Sequence, residues 1–183
     1  MNSSNINFQT FFVSNDITTN PLFGDFIKII TELEKGNLIK NNNFTVSIKY
    51  GKRLLINSNN ISFKEISKQD IVEIVDYDPL KKIFLAIGKK IPSIDAPVHW
   101  IIQNARSDIN AIVELSEHKL NNKTKKGFIE IEKEYLRGTI DLAKEILKTL
   151  RSSKNIFIKN NGVIMVGINS DDIIKTIRRI SGD

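Results

Sequence analysis

Hydrophobic residues recur at three- and four-residue spacing in four stretches of the chain, which is the pattern of an amphipathic helix with one buried face. The ends of these stretches carry their own signals, since Gly36 follows the first as a C-cap and Thr139 precedes the third as an N-cap. The pattern predicts helices over residues 21–36, 96–105, 139–150 and 171–180.

Between the predicted helices, short runs of β-branched and aromatic residues separated by turn residues predict strands. The predicted strands cover residues 44–49, 53–57, 71–76, 83–87, 109–115, 128–131, 155–159 and 163–166, with one further short strand near residues 8–13. The turn Asn160-Asn161-Gly162 is a strong hairpin signal between the last two strands. Hairpins interleaved with helices predict an α/β fold with a mixed, mostly antiparallel central sheet flanked by helices. We expect a single domain at residues 21–183, preceded by an N-terminal arm at residues 1–20.

The composition fits one folded domain: 183 residues, 40% of them hydrophobic and 26% charged. The chain has no cysteine, which excludes disulfides, thiolate metal sites and a cysteine nucleophile. It has only two histidines, His99 and His118. The net charge of +6 comes from lysines scattered along the chain, so we do not expect nucleic acid as a partner.

No apolar run is long enough for a membrane-spanning helix, so we expect no membrane partner. The N-terminus lacks the basic-then-apolar order of a signal peptide, and we expect a cytoplasmic protein. The glycine-rich phosphate loops GxGxxG and GxxxxGK[ST] are absent, and so are the catalytic motifs GxSxG and HExxH. Generic enzyme signatures therefore do not identify a function.

Several separated segments, taken in their order along the chain, together resemble the class II aldolase/adducin-head family, in its fuculose-phosphate-aldolase-like form. The segments are ELEKG at 32–36, NNFTV at 42–46, GKRLLIN at 51–57, QDIV at 69–72, PSIDAPVH at 92–99, RSDINAIV at 106–113, and IFIKNNGVIMVG at 156–167. The resemblance implies the α/β fold of that family. It also implies a homo-oligomer, such as the cyclic tetramer that family members form.

The zinc chemistry of active relatives does not carry over from the resemblance. In active members three histidines hold zinc, and the matching positions here are Glu114, Ser116 and Asn161. His99 matches a family histidine outside the zinc triad, and His118 lies beyond the pair. The segment that follows Glu114 is also shorter than in active members. We therefore identify the chain as a divergent member that lacks the zinc ligands, and we expect no zinc cofactor.

Part of the family's site could persist on four residues. Asp95 stands where the family has its acid/base glutamate, so one interpretation is a vestigial catalytic carboxylate. The interpretation we favour is that the Asp95 side chain caps the helix that begins at Ala96. Asn43, Thr45 and Ser93 match contacts to substrate phosphate and are candidate binding residues for a small phosphorylated ligand, although asparagine turns and serine caps are also ordinary structure.

Two further interpretations concern the histidines. If residues 114–118 were helical, Glu114 and His118 would meet at i, i+4 spacing and could share a metal ion, although such a pair is more often a surface contact. His99 lies on the apolar face of its helix, and we predict a buried histidine bonded to the backbone.

The preferred hypothesis is a catalytically degenerate, non-enzymatic protein that acts by binding or assembly. The alternative is an aldehyde-lyase of the sugar-phosphate aldolase type with a rearranged metal site. A third hypothesis, binding of a polyanion by the basic surface, predicts an affinity that falls steeply with salt.

Overall fold

The computed structural model describes residues 6–39, 44–59, 61–62, 66–116 and 127–182. Over this part of the chain, four α-helices, a 3-10 helix (Lys68–Asp70) and nine strands form one α/β unit. The strands are β1 (Gln9–Ser14), β2 (Phe44–Tyr50), β3 (Arg53–Asn57), β4 (Ile71–Asp78), β5 (Ile83–Ile87), β6 (Ala111–Ser116), β7 (Ile129–Ile131), β8 (Asn155–Ile158) and β9 (Gly162–Gly167). The helices are α1 (Phe23–Lys35), α2 (Ala96–Ala105), α3 (Ile140–Thr149) and α4 (Ser170–Ser181).

All nine described strands join one sheet in the order β1-β5-β4-β3-β2-β6-β9-β8-β7. The two outermost pairs, β1 with β5 and β7 with β8, are parallel, and every pair between them is antiparallel. The predicted mixed, mostly antiparallel sheet is therefore confirmed. The arm predicted at residues 1–20 contains β1, which forms one edge of this sheet.

Helices cover both faces of the sheet. α1 and α4 lie on one face, where Phe26, Leu33, Ile173 and Ile177 belong to the same buried cluster as Val46 of β2. On the other face, α2 and α3 bury a second apolar cluster against β6, β8 and β9. No helix among the described residues is long and apolar enough to cross a membrane.

Local sequence explains the helix ends. The Thr139 hydroxyl accepts a hydrogen bond from the Leu142 amide, as expected of an N-cap. The Gly36 amide donates to the Glu32 carbonyl and the Asn37 amide donates to the Glu34 carbonyl, which closes α1, so this predicted end is also confirmed.

Strand β2, at the centre of the sheet, separates an apolar side from a polar side. Phe44, Val46 and Ile48 are buried in the cluster beneath α1 and α4. The alternating residues Thr45 and Ser47 point to the opposite face, where the segment before α2 and α2 itself contact them. This alternation places a row of buried polar side chains between β2 and α2.

Candidate functional site

Three of the residues singled out in the sequence lie together beneath the start of α2. The hydroxyls of Thr45 on β2 and Ser93 in the loop before α2 are 2.6 Å apart. Thr45 Oγ1 also donates to Asp95 Oδ2 at 2.8 Å. All three side chains are buried. Asn43, the fourth predicted site residue, lies outside the described residues.

Asp95 precedes the first residue of α2, but its side chain makes no capping hydrogen bond. The prediction that this carboxylate caps the helix is therefore wrong. One reason is that Pro97 in the first turn has no N–H, so α2 begins with fewer donors to satisfy. The stronger reason is that a cation from a loop distant in sequence binds both oxygens of this carboxylate.

That cation is Arg137, which the sequence analysis missed. Its Nε and Nη2 atoms donate to the two oxygens of Asp95, at 3.1 Å and 2.6 Å. Such a fork is the strongest common geometry for a guanidinium and a carboxylate. Asp95 is fully buried, whereas about a third of the Arg137 side chain is exposed, at 31%. The partly exposed Arg137 guanidinium therefore neutralises the charge of the buried Asp95 carboxylate.

Gly138 brings Arg137 to this position. Its φ is +68°, and a Cβ atom there would overlap the Ile94 carbonyl oxygen. Only glycine allows the backbone before α3 to approach the loop before α2 so closely. The signal for this contact was present in the sequence as a glycine directly before the Thr139 cap, but nothing local indicated which segment it approaches.

Beside this group lies a second buried chain of polar atoms. The Ser47 hydroxyl is 2.7 Å from His99 Nδ1 and donates to Gln103 Oε1 at 3.3 Å. The prediction that His99 bonds to the backbone through its ring is therefore wrong, because the ring is bound by the Ser47 side chain. The Ser47 hydroxyl therefore links the His99 ring to the Gln103 side-chain amide.

His99 Nε2 faces Glu114 of β6, with 3.6 Å between Nε2 and Glu114 Oε2. Both side chains are fully or almost fully buried. Burial raises the pKa of the Glu114 carboxyl, and the neighbouring Asp95 charge raises it further, whereas His99 opposes the shift. The net effect raises the pKa of the Glu114 carboxyl, which lies beside His99 Nε2.

The family model for the class II aldolase and adducin N-terminal domain matches residues 25–116. This chain belongs to that family. The matched range includes Thr45, Ser93, Asp95, His99 and Glu114, whereas Arg137 lies beyond it. The family prediction made from the separated sequence segments is thus confirmed.

Solved structures show that the fold extends beyond the matched range. An L-fuculose 1-phosphate aldolase is 19% identical with a TM-score of 0.69, over 91% of this chain and 85% of that chain. A sugar-phosphate aldolase from Thermotoga maritima is 14% identical with a TM-score of 0.71, over 86% of this chain and 89% of that chain. The N-terminal class II aldolase domain of a Thermoplasma acidophilum protein is 10% identical with a TM-score of 0.65, over 92% and 94% of the two chains. Comparison with curated protein sequences found no significant match.

The positions that match the zinc ligands of active class II aldolases do not form a good zinc site here. Burial raises the pKa of the Glu114 carboxyl, which disfavours its anionic form, and Ser116 offers only a neutral hydroxyl. Asn161 lies beside Ser116, because Ser116 pairs with Gly162, and its amide donates to the Tyr135 carbonyl. Zinc in proteins is held by imidazole, thiolate and carboxylate ligands, so this donor set does not fit the metal.

A relocated metal site also lacks its predicted geometry. Glu114 and Ser116 lie in β6, so the helix that would align Glu114 with His118 does not begin there. His118 itself lies outside the described residues. Within the described ranges, no group of three His, Cys, Asp or Glu side chains is placed to hold a metal ion.

Cavities of about 560, 330 and 550 Å³ lie on the surface of the described part of the chain. The first lies between α1 and α4, and the others border the segment from residue 133 to residue 148. Thr45, Ser93 and Asp95 line none of the three.

Proposed function

We propose that this chain is a non-catalytic member of the class II aldolase family that acts by binding or assembly. The observation that carries the proposal is the set of hydrogen bonds that occupies the Asp95 carboxylate, which matches the position of the family's acid/base glutamate. Its two oxygens accept hydrogen bonds from Thr45 and from the Arg137 fork, in a fully buried setting. A general acid or base must reach the proton that it transfers, and this carboxylate is committed to protein partners instead.

The residues at the zinc-ligand positions support the same proposal. Glu114, Ser116 and Asn161 supply a carboxyl of raised pKa, a hydroxyl and an amide. Because the aldol chemistry of active relatives depends on a Lewis acid held at these positions, a weak donor set there favours a role without that chemistry.

The expected contact with a small phosphorylated ligand stays a prediction. Thr45 and Ser93 currently bond to each other, and Thr45 also bonds to Asp95. A phosphate would have to replace these hydrogen bonds, so we expect weak binding or none in the state described. A homo-oligomer, with a tetramer as the candidate form, and a cytoplasmic location also stay predictions.

The test is zinc stoichiometry by elemental analysis, on protein purified without a metal-binding tag and then dialysed against zinc. We expect less than about a tenth of an equivalent per chain, because the donor set lacks imidazole and thiolate. A triple variant, Glu114→His with Ser116→His and Asn161→His, is the matched positive control, since it restores three imidazoles at the same positions. Zinc uptake by this variant alone supports the proposal.

Cleavage of L-fuculose 1-phosphate, the compound in the name of one structural relative, is assayed in parallel. Close to one equivalent of zinc in the unmodified chain, together with zinc-dependent cleavage, would overturn the proposal. That result would instead favour the aldehyde-lyase hypothesis with a rearranged metal site, and loss of zinc in a His118→Ala variant would identify one ligand.

A further inference from the structure

We propose that the outer edge of β1 binds β1 of a second copy of this chain as an antiparallel strand. The interface would include an apolar patch formed by Phe11, Val13 and Leu85. This inference concerns the end of the sheet, far along the strand order from β2 and β6. It therefore holds or fails independently of whether the chain binds zinc or cleaves a sugar phosphate.

The backbone of β1 has an open side. β1 is the terminal strand of the sheet, and β5 pairs with its inner side only. The Gln9 amide donates to the Lys82 carbonyl next to β5, so Gln9 and, two residues on, Phe11 direct their backbone groups inward. Because backbone groups alternate along a strand, Thr10 and Phe12 direct their N–H and C=O groups outward, where no described strand pairs with them.

The patch beside this edge is apolar and uncovered. Phe11 and Val13 are 55% and 58% exposed, and Leu85, which pairs with Phe11, is 37% exposed. On the opposite face, Phe8 and Phe12 pack with Phe84 against the core, so this face of β1 is covered. An exposed apolar surface next to an open edge marks a site of association.

Charge distinguishes this edge from the other end of the sheet. No Asp, Glu, Lys or Arg occurs before Asp16, although 26% of the chain is charged. The opposite edge strand, β7, has only three residues, includes Glu130, and is followed by Glu132 and Lys133. Short length and charge are the usual protection of an edge against pairing, and β1 has neither.

The same absence of charge favours a second copy as the occupant. When two identical strands pair about a two-fold axis, each charged residue near the axis opposes its own copy, and like charges directly opposite destabilise a sheet. β1 has no charged residue, so pairing with its copy places no like charges opposite each other. A partner of opposite charge would gain nothing from an uncharged strand.

The outward backbone groups set the register of the pair. Thr10 would exchange two hydrogen bonds with Phe12 of the second copy, and the two-fold axis would pass beside Phe11, which then opposes its own copy. This register keeps the apolar patches of both copies on one face of a continuous sheet. The hydrogen-bonded pairs between the two copies also end before the irregularity between Phe12 and Ser14, where β1 shifts its pairing with β5.

The first experiment measures the mass of the full chain across a concentration series by sedimentation velocity. We expect an even-numbered oligomer. Phe11→Lys, which places two like charges at the axis, and Thr10→Pro, which removes an outward N–H, should each raise the dissociation constant at least tenfold. Leu80→Lys is the matched control, since Leu80 is 92% exposed in the β4–β5 turn and its change should leave the mass unaltered.

The second experiment uses the absence of cysteine in the chain. Phe11→Cys should form an intermolecular disulfide under mild oxidation, because opposite residues at the axis bring their Cβ atoms close. Val13→Cys, equally exposed but opposite Gln9 of the second copy, should cross-link no more than Leu80→Cys. A chain that is monomeric throughout overturns the proposal. So does an oligomer that both edge variants leave intact while circular dichroism shows native folding, or equal cross-linking of all three cysteine variants.

Discussion

Arg137 and Asp95 form a two-pronged ion pair across 42 residues of sequence, with Nη2 and Oδ2 only 2.6 Å apart. The pair joins the loop before α3 to the loop before α2. Asp95 is the carboxylate to which the family resemblance assigns proton transfer. In this pair it is buried and does not contact solvent. The stability of the chain should therefore depend on this buried residue pair.

Replacing Arg137 with alanine should destabilise the chain by about 2 kcal/mol, because Asp95 stays buried without its cation and the partial exposure of Arg137 softens the loss. Urea unfolding at neutral pH measures the change. Asp95→Asn together with Arg137→Ala should recover part of the loss, since no charge is then left unpaired. The control is Lys28→Ala, which breaks the exposed pair with Asp25 and should change stability by less than about 0.5 kcal/mol. Equal losses for Arg137→Ala and Lys28→Ala would contradict this account.

Alanine at Gly138 should be more costly than alanine at Gly51, although both glycines have positive φ, +68° and +60°. At Gly51 nothing lies within 4 Å of the added Cβ, so only the backbone term of about 1 kcal/mol applies. At Gly138 the Cβ also meets the Ile94 carbonyl oxygen, and the loop that carries Arg137 must move. Thermal unfolding of both variants gives the comparison. Indistinguishable midpoints would show that the close approach is not a constraint.

Glu114→Gln should stabilise the chain more at pH 7 than at pH 4. Burial raises the pKa of the folded Glu114 carboxyl above its ordinary value of 4.5, so the folded state holds a proton that the unfolded state releases as the pH rises. The wild-type contribution is complete below about pH 4.5 and declines above it, whereas glutamine does not titrate. Urea unfolding of both proteins at the two pH values tests this. A stability difference that is constant with pH, or larger at pH 4, would mean that Glu114 is ionised in the folded protein.

Glu32 should contribute to stability in the opposite pH range. Hydrogen bonds from Arg178 on α4 and from Lys35 lower the pKa of this carboxyl from 4.5 to about 2. Its contribution is therefore present above about pH 4.5 and is lost as the pH falls toward 2. Glu32→Gln should lower the unfolding midpoint at pH 6 and have little effect at pH 2. The control is Glu34→Gln on the exposed side of α1, and an equal effect from it would argue against a specific α1–α4 link.

Much of the fold was predictable because it depends on local pattern. The spacing of apolar residues located α1 to α4, and the Asn160-Asn161-Gly162 turn located the β8–β9 hairpin. The order of separated segments predicted the family, and thereby brought Thr45, Ser93 and Asp95 to one place.

The side-chain partners within the site were not predictable from the same patterns. An aspartate before a helix has the same local sequence whether it caps the helix or binds a distant arginine. In this chain Asp95 binds Arg137 instead of capping the helix. Arg137 lies in a loop, where no periodic pattern of residues indicates which way a side chain points. The ring of His99 bonds to Ser47 rather than to the backbone, because the polar face of β2 happens to lie opposite α2. Both outcomes depend on which loops and strands become neighbours in the folded chain.

The alternation along β2 has a consequence for how the chain finds its native arrangement. A slip of β2 by one residue against β3 or β6 would turn Thr45 and Ser47 into the apolar layer under α1 and α4, and would leave Val46 against His99 and Asp95. Each misplaced hydroxyl would lose its partner in a buried layer. The buried hydroxyls of Thr45 and Ser47 can thus select the native strand pairing, because the neighbouring misfolded register is too costly to persist.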